Sequence, residues 1–238
     1  MAALLLGNAV RRSDRDVVRA LPLFRDVSGK NFEELMSAAF LQRFPQHVML
    51  ITEGDLPDFL HIVVEGTVEL FGTYRERETT LDIIQPVSTF ILAAVIRDEV
   101  YLKSARTLVP AQILMIPATT VRDIFSRDAA FARAIVDELA LRYRGIVRAL
   151  RNQKLRTGAE RLANWILLTD RRNGGDGRFT LSHDKRTLAA LLGMTPENLS
   201  RNLATLAQYG VKTAGRDISI RDRARLQEYA IPNQLIDD

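Results

Sequence analysis

The stretch that decides the fold of the second half of the chain is LSHDKRTLAALLGMTPENLSRNLATLAQYGV, residues 181–211. Ser182 can cap a helix that runs to about Leu192, and Gly193 can end it. Thr195 can cap a second helix that has Pro196 at its first position. Two short helices joined by a tight glycine turn predict a helix-turn-helix. Two short strand candidates follow in VKTAGRDISIRD, residues 211–222, and predict a wing.

The second helix of this pair carries a polar face. Glu197, Ser200 and Arg201 project from one side, because residues three and four apart are neighbours on a helix. Arginine can donate two hydrogen bonds to guanine, glutamate can accept from the amino group of cytosine, and serine can bond either kind of base. The spacing predicts a base-reading surface. The alternative is a solvated helix face that holds a Glu–Arg pair.

Residues around this helix can contact the DNA backbone. Basic side chains neutralise phosphates, and a helix terminus can also contact them. Any one of the basic residues could instead be ordinary surface charge. The predicted phosphate contacts are Lys185, Arg186, Thr195, Lys212 and Arg216.

Composition limits the class of protein. The chain has 238 residues, 47% hydrophobic and 26% charged, as expected for a globular protein of two modest domains. It contains no cysteine, which excludes disulfides and cysteine-ligated zinc or iron–sulfur clusters. The net charge of +4 is too small to demonstrate nucleic-acid binding. In the opening MAALLLGNAVRRSDRD the basic residues follow the apolar run, so we expect a cytoplasmic protein without a membrane span.

The first half is predicted to be rich in strands. Short β-rich segments separated by turns are typical of a barrel or roll. The predicted strands are Val48–Ile51, Phe59–Val64, Thr67–Phe71, Thr79–Ile84 and Gln112–Ile116. Before them, PLFRDVSGKNFEELMSAAFLQRF at 22–44 is predicted to be helical, with Ser28 as a cap and an apolar stripe that includes Phe32, Leu35, Met36 and Ala39.

A long helix should join the two halves. No proline interrupts residues 118–165, and the apolar residues Phe131, Ile135, Leu139, Ile146 and Leu150 fall on one face. We interpret this face as a dimer seam in which Ile135, Leu139, Ile146 and Leu150 contact a second chain. The alternative is a helix that packs on its own domain. The polar segment RNQKLRTG at 151–158 is predicted to be a hinge.

In the order of these motifs the chain resembles the Crp/Fnr family of transcription regulators. The residues that carry the resemblance are PLFRDVS at 22–28, EGDLPDFLHIVVEGTVELF at 53–71, LLGMTPENLSRNLATL at 191–206 and GRDISIRDRARL at 215–226. The resemblance implies an α+β protein: an N-terminal cyclic-nucleotide-binding-like β-roll at 1–117, a dimerisation helix at 118–152 and a C-terminal winged helix-turn-helix at 153–238. It also implies a homodimer that binds double-stranded DNA and contacts RNA polymerase.

The recognition helix resembles the Fnr-like branch, whose motif Glu-x-x-Ser-Arg matches Glu197, Ser200 and Arg201. The Crp-like branch carries an arginine immediately before the glutamate. Here that position is Pro196, which cannot make the arginine contact. The resemblance therefore implies an inverted repeat of a TTGA-type half-site.

The effector pocket departs from the cyclic-nucleotide pattern. Family members that sense cyclic nucleotides carry a Gly-Glu pair for the ribose and an Arg-Ser step for the phosphate. In TFILAAVIRDEVYLKSAR, residues 89–106, Leu92 and Ala93 stand at the first pair and Lys103 precedes Ser104. Lysine keeps the charge and loses the bidentate fork of arginine. We predict a degenerate pocket, formed by Phe90, Leu92, Ala93, Lys103 and Ser104, that binds no cyclic nucleotide.

Several effectors are compatible with this pocket. The apolar pattern resembles the Dnr/NnrR-type regulators of nitrogen-oxide metabolism, which implies haem as one candidate. The three histidines, His47, His61 and His183, show no metal-binding spacing. Another small apolar ligand, or no ligand, is equally compatible. The sequence shows no catalytic motif, so an enzyme is not predicted, and a signalling module that binds cyclic nucleotides would lack the recognition helix and wing.

Overall fold

The computed structural model describes residues 12–237; residues 1–11, which include the apolar run at the start of the chain, lie outside the described part. The chain divides into two compact units, one that ends at Arg142 and one that begins at Tyr143. The first unit contains two hydrophobic cores, and the second unit contains one of its own.

The described part of the first unit begins with three helices: α1 Arg12–Arg19, α2 Pro22–Arg25 and α3 Gly29–Ala38. The predicted cap of α3 is confirmed, because the Ser28 hydroxyl accepts a hydrogen bond from the backbone N–H of Asn31 at 3.3 Å. The prediction that this helix continues to residue 44 is wrong. Residues from Phe40 onward are extended and pair with a later strand, and this pairing satisfies their backbone groups across the sheet.

Eight strands form two four-stranded sheets in this unit. They are β1 Phe40–Phe44, β2 Met49–Ile51, β3 Phe59–Glu65, β4 Val68–Tyr74, β5 Arg77–Ile84, β6 Ser88–Phe90, β7 Ser104–Thr107 and β8 Ala111–Pro117. The strand orders are β1-β8-β3-β6 and β2-β7-β4-β5, with antiparallel neighbours throughout. The predicted β-roll is confirmed; β1, β6 and β7 were not predicted.

Strand β3 separates two apolar cores. Leu60 and Ile62 join the core beneath the helices, whereas Val63 joins the core inside the roll. Since side chains alternate along a strand, His61 lies on the same side as Val63 and faces the roll interior. Gly66 ends this strand at φ +86°, where a Cβ would lie 2.5 Å from the carbonyl oxygen of Pro110, so the turn requires glycine.

The predicted continuous helix from residue 118 is corrected. The structure has α4 Leu92–Arg97, α5 Ala118–Arg127 and α6 Ala129–Leu155, with a break between the last two at Asp128. The carboxylate of Asp128 accepts from the backbone N–H of Phe131 at 3.0 Å and from the side chain of Asn31 at 2.7 Å. These bonds make Asp128 a helix-starting residue and lower its pKa to about 2.

The second unit continues from α6 into a winged helix-turn-helix. Its elements are α7 Gly158–Arg172, β9 Arg178–Thr180, α8 Lys185–Leu191, α9 Pro196–Ala207, β10 Val211–Ala214, β11 Asp217–Ile220, α10 Arg223–Ala230 and α11 Gln234–Asp237. The three strands pair in the order β10-β11-β9, so the predicted wing is confirmed with β9 as an additional strand. The predicted α+β fold class is confirmed. None of the helices in residues 12–237 combines the length and apolar character that a bilayer crossing requires.

Candidate DNA interface and sensor interior

Local capping residues set the geometry of the helix-turn-helix. Helix α8 is capped by Asp184, whose carboxylate accepts from the N–H of Thr187 at 2.7 Å, so the prediction of Ser182 as the cap is corrected by two residues. Gly193 forms the turn at φ +62°. Thr195 caps α9 as predicted: its hydroxyl accepts from the N–H of Asn198 at 3.3 Å, and Pro196 occupies the first turn.

Helix α9 buries one side and exposes the predicted base-reading side. Leu199 and Leu206 are buried in the core of the unit. Glu197, Ser200 and Arg201 are all exposed. The structure therefore brings the three predicted residues together on a face that no other described residue covers.

Arg201 and Glu197, the two charged residues of this face, are hydrogen-bonded to different neutral partners. The guanidinium of Arg201 donates to the side-chain oxygen of Asn198. The carboxylate of Glu197 is hydrogen-bonded by its own backbone N–H and by the hydroxyl of Thr195, and these bonds, with the nearby charge of Arg201, lower the pKa of Glu197. A neutral amide thus orients the arginine while the glutamate remains an ionised acceptor.

Asn198 is a residue of this site that the sequence analysis missed. It lies one helical turn before Arg201, and its side chain bonds the guanidinium without neutralising it. The signal was available in the sequence, since Asn and Arg three apart on an exposed helix face can pair.

The predicted phosphate contacts lie around the recognition helix. Lys185 and Arg186 occupy the first turn of α8, Lys212 lies on β10 and Arg216 lies in the turn of the wing; all four are exposed. Arg216 uses its Nε to donate to the carbonyl of Leu181 at 2.9 Å, which ties the wing to the segment before α8.

The structure separates the residues of the predicted effector pocket. Phe90 is buried in the roll interior, whereas Leu92 is buried in the core beneath the helices. Ala93, next to it, is exposed. Ser104 is buried, and its hydroxyl accepts from the backbone N–H of Glu53 at 3.0 Å. Lys103 is partly buried, and desolvation lowers its pKa, with the charge of Arg142 acting in the same direction.

Arg142 is a second residue that the sequence analysis did not assign to this site. It lies on α6 in the first unit and donates from Nη2 to the carbonyl and hydroxyl oxygens of Thr89, at 2.5 and 3.2 Å. Glu138, one turn earlier, accepts from the same nitrogen at 2.7 Å. The Nε of Arg142 is buried and has no hydrogen-bond partner within the described residues. A second cation therefore lies near Lys103.

His61 is the buried titratable group of the roll interior. Its ring stacks on Phe90 with centroids 5.2 Å apart, and its Nδ1 has no hydrogen-bond partner among residues 12–237. Desolvation lowers its pKa to about 4, so the imidazole is neutral near pH 7. His47 lies exposed in a turn and His183 lies in the second unit.

The predicted dimer face of α6 divides into two parts. Ile135 is only 1% exposed and packs, with Phe131, in the core of the first unit. The prediction that Ile135 contacts a partner chain is therefore corrected: this part of the helix packs on its own domain. Leu139 is partly buried against the same core. Ile146 and Leu150 are 66% and 56% exposed.

Comparison with known proteins agrees with both halves of this description. Residues 41–128 match the cyclic nucleotide-binding domain, and residues 160–229 match the Crp-like helix-turn-helix domain. The cyclic AMP receptor protein of Thermus thermophilus is 27% identical over 215 residues, which cover 90% of this chain and 98% of that protein.

In these two domains and in their order, the chain is a Crp/Fnr-type regulator.

Solved structures of similar proteins share the fold. A regulatory protein from Silicibacter pomeroyi is 26% identical, with a TM-score of 0.62, and the match covers 93% of this chain and all of that one. FixK2 from Bradyrhizobium japonicum is 22% identical, with a TM-score of 0.71 and coverage of 80% and 96%. The two matched domains, and not the shared fold alone, make this a Crp/Fnr-type DNA-binding transcription regulator with a cyclic-nucleotide-binding-like sensor domain.

Proposed function

We propose that this Crp/Fnr regulator acts as a homodimer that reads an inverted repeat of a TTGA-type half-site. The observation that carries the proposal is the uncovered face of α9, on which Glu197, Ser200 and Arg201 lie together. Arg201 would donate to guanine and Glu197 would accept from the cytosine of the same base pair. Pro196 offers no donor to a neighbouring base.

The proposed dimer interface is an apolar stripe on α6 that begins after the buried residue Ile135. Val136, Leu139, Tyr143, Ile146 and Leu150 follow one another at steps of three and four, the spacing of a coiled-coil seam. Four of the five are exposed, and Leu139 is partly buried. A second copy of the same helix would bury this stripe, since an exposed apolar stripe of this length is unfavourable in water. A two-fold dimer would also place two recognition helices on a palindrome.

The sensor domain is proposed to respond to a ligand other than a cyclic nucleotide. A cyclic nucleotide needs a carboxylate for its ribose, but the corresponding positions hold Leu92 and Ala93, the first of which is buried in a different core from Phe90. For the phosphate, Lys103 stands before Ser104 and keeps a positive charge but lacks the bidentate fork of arginine.

Among the candidate effectors, haem is supported by one feature of the structure, the buried ring of His61. The Nδ1 of His61 is a buried nitrogen without a hydrogen-bond partner in the described chain, and neutral imidazole is a haem ligand. His61 would hold the iron, which would supply the capacity to bind a small gas. Phe90, stacked on the imidazole, would have to move to admit the group. The absorption spectrum of protein from haem-replete, anaerobic cells tests this: a Soret band that His61→Ala abolishes supports it.

Two further expectations accompany the proposal. We infer from the family that the regulator contacts RNA polymerase and that it acts in the cytoplasm.

The test is a binding series on duplexes that carry inverted TTGA repeats, with each base pair changed in turn. Arg201→Ala should cost about 1–3 kcal/mol per half-site and abolish the preference for G·C at one position. Gln208→Ala, an exposed change at the end of the same helix, is the matched control. An Arg201→Ala protein that loses affinity equally for every sequence would show that Arg201 contacts phosphate, and the base-reading assignment would fail.

A further inference from the structure

Arg161, on α7, is an almost completely buried arginine in the second unit. It is 9% exposed, and the hydrogen bonds that its guanidinium makes within the described residues go to backbone carbonyl oxygens. Nε bonds Leu192 at 3.0 Å, Nη1 bonds Arg156 at 2.8 Å and Nη2 reaches Gly193 at 3.4 Å. No carboxylate lies within 4 Å of it among the described residues. Burial accordingly lowers its pKa.

The three carbonyls belong to two elements that matter for DNA binding. Leu192 and Gly193 form the turn immediately before the recognition helix α9, and Arg156 directly follows the last residue of α6. A planar guanidinium can hold several acceptors in fixed directions at once, which a lysine cannot do. Arg161 therefore joins the turn of the helix-turn-helix to the end of the long helix.

A second contact joins the same two elements. A Cβ on Gly193 would lie 2.5 Å from the side-chain nitrogen of Gln153, so Gln153 on α6 packs directly against the turn. Gly193 also holds φ +62°, a conformation that favours glycine. Two independent side chains thus hold the turn: Gln153 from the last part of α6 and Arg161 from the first part of α7.

The dimer stripe reaches into the same unit. Tyr143, Ile146 and Leu150 all lie in the unit that contains α9. When the stripe is paired across a two-fold axis, the distance and rotation between the two recognition helices depend on how each α9 is held on its own α6. Those quantities determine the spacing between the two half-sites.

We propose that Arg161, supported by Gln153, is a positioning residue that fixes the spacing between the half-sites this regulator accepts. The inference rests on the proposed homodimer. It adds that specificity has two separable parts: Arg201 and its neighbours read the bases, and Arg161 sets the separation at which two such faces bind together.

The experiment compares the spacing preference of variants. Wild-type protein first selects its half-site from a randomised duplex library, and affinities are then measured on inverted repeats of that sequence whose spacer is lengthened or shortened by one and two base pairs. One base pair moves a half-site by about 3.4 Å along the axis and by roughly 35° around it. The wild-type protein should therefore bind the duplex with one spacer length at least about tenfold more tightly than duplexes whose spacer is one base pair longer or shorter.

Arg161→Met should reduce this difference to about threefold or less, while base discrimination within the half-site and the dimer dissociation constant stay unchanged. Gln153→Ala, which leaves every carbonyl bond of Arg161 in place, should reduce it partly. Arg161→Lys should give an intermediate preference, and Arg172→Met, an exposed change on the same helix, should give the wild-type profile.

Two outcomes overturn the inference: wild type shows no spacing optimum, or a folded Arg161→Met protein keeps the wild-type optimum. If Arg161→Met does not fold, an unchanged optimum in Gln153→Ala alone overturns it. Selection of a half-site other than TTGA, or a monomeric wild type, refutes the proposed function instead and is seen before any variant is measured.

Discussion

Two substitutions on α6 should have different effects although both remove a leucine-sized side chain from the same helix. Leu150→Ala removes an exposed residue of the dimer stripe, and Ile135→Ala removes a residue of the sensor core. Complete burial of such a side chain is worth about 1.5–3 kcal/mol. Leu150 has 56% of its surface left to bury, so its contribution is about 1–2 kcal/mol per chain.

Because the seam is two-fold symmetric, the change occurs twice in each dimer. Leu150→Ala should weaken dimerisation by about 2–4 kcal/mol, a rise in the dissociation constant of roughly 30- to 1000-fold. Ile135→Ala, by contrast, should lower the free energy of unfolding of the first unit by about 2–5 kcal/mol, because it opens a cavity in a packed core. Its dimer dissociation constant should stay close to that of wild type.

Sedimentation equilibrium measures the first quantity, and urea unfolding followed by far-ultraviolet circular dichroism measures the second. Arg144→Ala, an exposed change on the same helix, should affect neither. A Leu150→Ala dissociation constant within about threefold of wild type would show that Leu150 is not part of the dimer interface. An Ile135→Ala protein that dissociates without a lower urea midpoint would show that Ile135 contacts the partner chain and not the core.

Three further measurements test other parts of the structure. Isothermal titration with cyclic AMP and cyclic GMP should show no binding in the micromolar range. Tight binding of either would contradict the prediction that a pocket with Leu92 and Ala93 in place of Gly-Glu binds no cyclic nucleotide. Lys212→Ala, in the wing, should weaken binding to all DNA sequences alike and reduce the slope of log affinity against log salt by about one unit; a sequence-dependent loss would remove it from the phosphate contacts. The folded pKa of His61 is about 4, below its ordinary 6.5, so between these values the unfolded state binds more protons and stability should rise with pH. His61→Leu should flatten the pH dependence of the unfolding free energy in that window, and an unchanged slope would contradict the burial of a neutral His61.

The helix-turn-helix could be predicted because its determinants are local. Thr195, Pro196 and Gly193 act through their own backbone or through residues three positions away, and the structure shows each in the predicted role. The error of two residues at the start of α8 has the same local origin. Ser182 and Asp184 are both good capping residues, and only the path of the chain into the helix selects Asp184.

Short strands were missed for the opposite reason. Strands β6 and β7 have three and four residues, too few for an alternating pattern to be read. They are extended because β3 and β4 lie beside them and satisfy their backbone groups. The end of the predicted N-terminal helix became β1 through the same kind of pairing, with β8 about 70 residues away.

The apolar face of α6 illustrates what the sequence by itself determined and what only the tertiary structure decided. The spacing of Ile135, Leu139, Ile146 and Leu150 in the sequence determined that they share one face of the helix, because the helical repeat is fixed by backbone geometry. It could not determine what covers each of them, because burial depends on elements distant in the chain. The packed core of the first unit encloses Ile135, and the same helix leaves Leu150 exposed fifteen residues later. Arg142 and Arg161 likewise resemble surface arginines in sequence. Only the carbonyl groups brought to them by the fold, at Thr89 for one and at the helix-turn-helix for the other, make them structural residues.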